Sequence, residues 1–165
     1  MSVSTKKSIK GYILAGIIGQ SRYSTVYHAI QPDTNRKVVI KRILPEYANR
    51  LYFIRHFDVK YRLITRLNHP NIVSLYDYWR EPDGAYFIMD YFSSNLRTML
   101  ADAPLALDEV SRLVNQITNA LSLPHRSGIV HRNIKPNNIL IDDNNNYCLT
   151  DFGISNKAEI TLPDD

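Results

Sequence analysis

GIVHRNIKPNNILID (128–142), followed across a polar turn by YCLTDFGIS (147–155), is the stretch that decides how this 165-residue chain is read. His131, Arg132, Asn133, Lys135, Asn137 and Asn138 crowd charged and amide side chains into a segment with neither helical nor alternating period, which marks a loop. The runs ILID (139–142) and YCLT (147–150) then read as two short strands, joined by the polar residues 142–146. Asp151-Phe152-Gly153 follows directly. A loop this rich in polar groups, held by a hairpin, is the kind of place where a fold carries its chemistry.

Outward from that stretch, the first forty residues read as strands. YILAGII (12–18), TVYHAI (25–30) and KVVIKRI (37–43) are rich in β-branched and aromatic residues, and QPDTN (31–35) has turn chemistry. Pro45 is expected to end this region. From 49 to 67 the period changes: Phe53, Phe57, Tyr61, Ile64 and Leu67 recur at steps of three and four, one apolar face of a helix. His69-Pro70-Asn71 stops it. IVSLYDYW (72–79) and AYFIMDY (85–91) read as two more strands across Glu81-Pro82-Asp83-Gly84. A short helical segment near 96–100 and a longer one from Asp108, the expected N-cap, to about His125 complete the pattern. The longer helix carries Val110, Leu113, Val114, Ile117 and Leu121, with Pro124 near its end and Gly128 closing it. Five strands interrupted by one helix, then helices and a small hairpin, predict an α+β chain in two lobes. Periodicity by itself admits many folds of this description.

Composition bounds the function classes. Apolar residues make up 44% and charged residues 22%, as in ordinary globular domains. No apolar run approaches the roughly 18 residues that span a bilayer, so no membrane association is expected. The start MSVSTKKSIK lacks the apolar core of a secretory leader. Cys148 is the sole cysteine, which excludes an internal disulfide and a cysteine-based zinc site and leads to a cytoplasmic expectation. Residues 1–90 hold 14 Lys and Arg against 7 Asp and Glu, whereas 91–165 hold 6 against 9. The excess in the first half is spread along the helical stretch as Arg50, Arg55, Arg62 and Arg66. A solvated helix face accounts for it, and no nucleic-acid partner is expected.

Taken with Val39-Ile40-Lys41, the segments His131-Arg132-Asn133-Ile134-Lys135-Pro136-Asn137-Asn138 and Asp151-Phe152-Gly153 strongly resemble the protein-kinase signatures V-A-I-K, H-R-D-x-K-P-x-N and D-F-G. GIVHRNIKPNNILID and LTDFGIS look most like the bacterial members of the eukaryotic-type Ser/Thr kinases. The resemblance implies an α+β, protein-kinase-like two-lobe fold. Residues 1–90 would be the ATP-binding lobe, a five-stranded antiparallel sheet plus a helix, and 91–165 an incomplete helical lobe. It also implies roles. Phosphoryl transfer asks the protein to hold phosphates still and neutralise their charge. Lys41 matches the lysine that reaches the α- and β-phosphates, and Lys135 the one that steadies the transferred group. Asn138 and Asp151 match the ligands of Mg²⁺. Adenine would lie between Val26 and Val39 on one side and Leu140 on the other. Met89 would stand at the back of the pocket, and Asp90, Tyr91 and Phe92 would form the hinge. Gly19 and Ser21 fall in the glycine-rich loop. Ile64, Leu75, His131 and Phe152 match the family's internal spine, a role ordinary core packing also satisfies.

Four departures govern the functional expectation. Asn133 stands where the family has its catalytic aspartate, and a carboxamide has no useful basicity; general-base help is worth about 10²–10⁴ in rate. The helix glutamate that pairs with the strand lysine falls on Lys60, nine residues before His69. An ammonium there would repel Lys41. G-x-G-x-x-G-x-V reads Gly19-Gln20-Ser21-Arg22-Tyr23-Ser24-Thr25-Val26, and serine restricts the backbone freedom that glycine gives. After Gly153, ISNKAEITLPDD contains nothing like Ala-Pro-Glu, so the resemblance stops short of the family's distal helices. The expectation is therefore a pseudokinase that binds ATP and Mg²⁺ weakly and acts by binding or scaffolding. The alternative is a weak or conditional ATP-dependent Ser/Thr kinase; a third class would use the fold for other phosphate chemistry. Without those helices, Leu113, Ile117, Leu121 and the strand 139–141 would be partly uncovered, so either the sequence is a fragment of a longer chain or a protein partner or second copy is expected to cover that surface.

Overall fold

The computed structural model of the protein describes residues 8–152. Residues 1–7, Gly153 and the tail 154–165 lie outside the described residues.

The described chain groups into two compact units, residues 8–54 with 75–91 and residues 55–74 with 92–152. The expected division fell once, after residue 90. Segment 55–74 instead groups with the later residues, for a reason visible in its hydrogen bonds. Leu149 donates its N–H to the carbonyl of Asn71 (2.8 Å) and accepts from Val73 (3.0 Å), and Ile72 bridges Leu149 in parallel.

The first unit is built on strands β1 (Ser8–Ile9), β2 (Tyr12–Gln20), β3 (Ser24–Gln31), β4 (Arg36–Ile43), β5 (Leu75–Glu81) and β6 (Gly84–Asp90). They form one sheet in the order β1-β2-β3-β4-β6-β5, every neighbour antiparallel. Six strands replace the expected five. The addition is β1, folded onto β2 by Lys10 (φ 46°) and Gly11 (φ 85°), a two-residue turn of the primed kind that suits the twist of a hairpin. β5 starts at Leu75, not at Ile72, because 71–73 are committed to Leu149. On one face of the sheet Ala29, Val38, Ile40, Tyr86 and Ile88 are buried, with Trp79 stacked on Tyr86 at 5.0 Å.

The expected helix at 49–67 is α2 (Leu51–Ile64), and a short helix the sequence reading did not foresee, α1 (Pro45–Ala48), precedes it. Pro45 opens α1 at a position where a missing N–H costs nothing. The periodic set Phe53, Phe57, Tyr61, Ile64 and Leu67 is buried throughout, 8% exposed at most. Full burial of each such side chain contributes about 1.5–3 kcal/mol.

The second unit holds a three-stranded sheet in the order β7-β8-β9, with β7 Ser94–Asn95, β8 Ile139–Ile141 and β9 Tyr147–Leu149. Helix α3 (Leu96–Asp102) is opened by a reciprocal Asn95–Thr98 capping box. Helix α4 (Leu107–Arg126) begins after Ala106, which makes no side-chain cap; Asp108 is not the N-cap but lies in the first turn with Glu109, favourably placed toward the helix dipole. It ends in a Schellman motif. Gly128 (φ 72°) donates to His125 (3.0 Å), and Ile129 donates to Pro124 (2.9 Å). Pro124, the sequence's oddity, is fully buried in that last turn. Of the expected stripe on α4, Ile117 is buried, Leu113 and Leu121 are half-buried, and Val110 and Val114 are exposed. Ile139 and Ile141 on β8 are buried, against the expectation that this strand would be partly uncovered. Gln116 ties α4 to β9, accepting the N–H of Tyr147 (2.7 Å) and donating to Asn146 (3.1 Å).

Candidate active site

Strand register brings the first unit's candidate residues together. Gly19 pairs with Val26, and Val26 pairs with Lys41. Val39, two residues before Lys41, pairs with Met89. Directly paired residues and residues two apart share a face, so Val26, Val39, Lys41 and Met89 stand on one side of the sheet. Lys41 is only 5% exposed, and Val39 and Met89 are buried. Asp90 closes β6, but its carboxylate accepts from Arg36 Nη2 (3.0 Å) and from the Tyr76 hydroxyl. A ligand contact at this residue therefore falls to its main chain.

The loop between β2 and β3 is closed on itself. Ser21 N–H donates to the Ser24 carbonyl at 2.9 Å. Ser21 Oγ in turn accepts the backbone N–H groups of Tyr23 (3.2 Å) and Ser24 (3.1 Å). Tyr23 is held against α1, its ring 4.8 Å from that of Tyr47 and its carbonyl accepting from Leu44 at 2.9 Å. Arg22 Nε donates to the Tyr47 hydroxyl at 3.2 Å.

The second unit holds Phe92, Asn133, Lys135, Asn138, Leu140 and Asp151. His131, 1% exposed, organises the loop. Its Nε2 bonds the Thr150 carbonyl at 2.8 Å, and its Nδ1 accepts the N–H of Asn133 at 3.1 Å. Nε2 therefore carries the proton. Burial holds the imidazole below its ordinary pKa, offset in part by the Thr150 carbonyl and the Asp151 charge. Its ring meets Phe152 edge-on at 4.5 Å, so two of the four expected spine residues touch. Asn138, 5% exposed, donates Nδ2–H to the Asn133 carbonyl (2.8 Å) and accepts at its own carbonyl from Thr150 N–H (3.0 Å). These bonds bring Asn133, Asn138 and Thr150 together, and Asp151 follows Thr150 directly. Arg132 (φ 61°) and Asp151 (φ 67°) take left-handed backbone, uncommon for such residues and typical of functional turns. Lys135 is exposed and Leu140 half-buried.

With Asn138 Nδ2 committed to a carbonyl, its Oδ1 is left as the acceptor. It and the Asp151 carboxylate are hard oxygen donors of the kind that could hold magnesium, an ion that takes one or two protein oxygens and fills the rest from phosphate and water. Among the described residues no group of three or more His, Cys, Asp or Glu is placed to hold a metal ion.

Two contributors escaped the sequence reading. Thr150 acts through its backbone, which carries no side-chain signature. Asn71 read as a helix stop, yet its Nδ2 donates to the Tyr147 carbonyl at 2.9 Å and fastens that segment to β9.

The sequence model of the protein kinase domain matches residues 12–162. The chain belongs to the protein kinase family. It is similar to serine/threonine-protein kinase PrkC of Bacillus subtilis (strain 168), 39% identical over 158 residues that cover 94% of this chain and 24% of that protein. It is also similar to CBL-interacting protein kinase 5 of Oryza sativa subsp. japonica, at 32% over 145 residues, 87% of this chain and 32% of that one. The crystal structure of the Mycobacterium tuberculosis PknI kinase domain superposes with a TM-score of 0.81 at 26% identity, over 94% of this chain and 64% of that chain. This kinase-family chain thus has the α+β kinase fold and spans about a quarter to a third of those two curated relatives. Among the described residues, no helix is long and apolar enough to cross a membrane.

Proposed function

We propose that this kinase-family chain is a pseudokinase, one that binds ATP and magnesium weakly and works by binding other molecules. The observation that carries the reading is Asn133. Its main chain is fastened on both sides, by His131 and by Asn138, in the position where the family keeps its aspartate. The scaffold for a base is intact, and the group on it is a carboxamide that cannot take a substrate hydroxyl's proton. Lys41, Asn138 and Asp151 support retained nucleotide and metal binding, with Gly19, Val26, Val39, Met89 and Leu140 forming the apolar surround and the Asp90 and Phe92 main chain lining the hinge. The test pairs ATP affinity, with and without magnesium, with a phosphotransfer assay. Weak, magnesium-dependent binding without transfer is expected.

The second reading, a weak or conditional Ser/Thr kinase, draws on the likeness to PrkC and on the same three retained residues. Measurable transfer by the unmodified chain would favour it.

A protein partner, or a second copy of the chain, is proposed to engage α4, where Leu107, Val110 and Val114 are exposed. Light scattering across a concentration series tests self-association, with Val114→Asp expected to lower the mass if α4 is the contact. We place this activity in the cytoplasm, on the single cysteine and the absence of any expected disulfide.

A further inference from the structure

Two consecutive backbone N–H groups pointing at one oxygen form a small anion-binding concavity, the device by which glycine-rich loops hold phosphate. Tyr23 and Ser24 present such a pair, and the oxygen they point at belongs to the protein: Ser21 Oγ, at 3.2 and 3.1 Å. In a two-residue hairpin the Ser24 N–H would ordinarily bond the Ser21 carbonyl; here the Ser21 hydroxyl takes that place, as serine does in local side-chain turns. The return bond, Ser21 N–H to the Ser24 carbonyl, completes the ring at 2.9 Å.

From this geometry we infer that Ser21 is an internal competitor for phosphate, and that it sets the chain's preference against the triphosphate of a nucleotide and toward the nucleoside. The inference rests on the nucleotide-binding reading and deepens it. For a phosphate to use the Tyr23 and Ser24 amides, two bonds to Oγ must break first, and the turn must let go. The turn is also anchored from outside: Arg22 donates to the Tyr47 hydroxyl, the Tyr23 and Tyr47 rings pack edge-on, and Leu44 N–H holds the Tyr23 carbonyl. The substitution of glycine by serine thus does more than restrict φ. It supplies the oxygen that fills the loop.

Ser21→Ala removes that oxygen at an exposed position and leaves the backbone otherwise unaltered, while Ser21→Thr keeps a hydroxyl. Amide hydrogen exchange of the nucleotide-free chain reads the lock, and the ratio of ATP to adenosine affinity reads the competition. In Ser21→Ala, exchange at Tyr23 and Ser24 should accelerate, and the ATP-to-adenosine ratio should rise about three- to tenfold, the yield of freeing one or two ordinary hydrogen bonds. Adenosine affinity itself should stay unchanged, and Ser21→Thr should behave like the parent. Unchanged exchange in Ser21→Ala overturns the lock whatever the affinities do. Faster exchange without a higher ratio overturns the competition. If parent and variant both fail to bind adenosine and ATP, the nucleotide-binding reading falls, and the competition falls with it.

Discussion

The backbone N–H of Asn133 donates to Nδ1 of His131 at 3.1 Å, and this one bond joins the residue that changed to the residue that holds its loop. Because Nδ1 accepts there and Nε2 faces the Thr150 carbonyl, the buried ring has room for one proton and no site for a second. Protonating Nδ1 would set two donors against each other. The bond thus ties the geometry of the candidate site to pH.

Stability should fall as the medium is acidified below neutrality. Burial depresses the pKa of His131 from 6.5 in the folded chain, so the neutral ring is favoured there. Its contribution is fully present above 6.5 and is lost as the pH falls from that value through the lower folded one, since the unfolded chain takes up the proton more readily. Glu109 acts in the same direction in a separate window below 4.5, its pKa lowered by hydrogen bonds from Arg112 and Tyr147. Urea midpoints between about pH 7.5 and about pH 5.5 should show the first slope, and His131→Gln should flatten it. A slope that survives the substitution assigns the effect to another group.

Asn133→Asp should not by itself restore ordinary kinase activity. The aspartate regains a base worth about 10²–10⁴ in rate. Lys60 and Ser21 still depart from the pattern that positions ATP. Phosphotransfer to a generic Ser/Thr peptide, measured for parent and variant, checks this. Full activity from the single change would mean that the base was all that was missing.

Lys60→Glu should tighten ATP binding. Lys60 is half-buried, its Nζ 5.9 Å from the Tyr61 ring. The family resemblance puts a glutamate there to pair with the lysine at Lys41, and opposite charges attract where like charges repel. Titration calorimetry against the parent reads the direction. Weaker binding in the variant would indicate that Lys60 itself serves the nucleotide.

Gly84→Ala should destabilise the chain by about 1–3 kcal/mol. Gly84 opens β6 at φ 152°, and a Cβ built on it would stand 2.5 Å from the Ile43 carbonyl oxygen. That neighbour is backbone in the adjacent strand and cannot swing aside. Denaturant unfolding measures the loss; a change under about 0.5 kcal/mol, the usual surface value, would show that the β5–β6 turn relaxes freely.

Much of the architecture was legible because burial imposes a period. Phe53, Phe57, Tyr61 and Ile64 declared a helix and are its buried face; the strands 25–30, 37–43 and 85–91 declared themselves by β-branched and aromatic runs and form the centre of the sheet. The kinase-family reading came from side chains whose order and spacing are chemically specific: Lys41, Asn133, Asn138 and Asp151. Other features depend on which distant groups share a hydrogen bond, and no local pattern records that. Ile72 and Val73 look like any strand start, yet Leu149 bonds the backbone on either side of Ile72, at Asn71 and Val73, and β5 begins three residues late. Ser21 reads as a lost glycine; that its hydroxyl fills the loop in place of an anion follows from two amides meeting one oxygen, a relation the chain acquires when the turn closes.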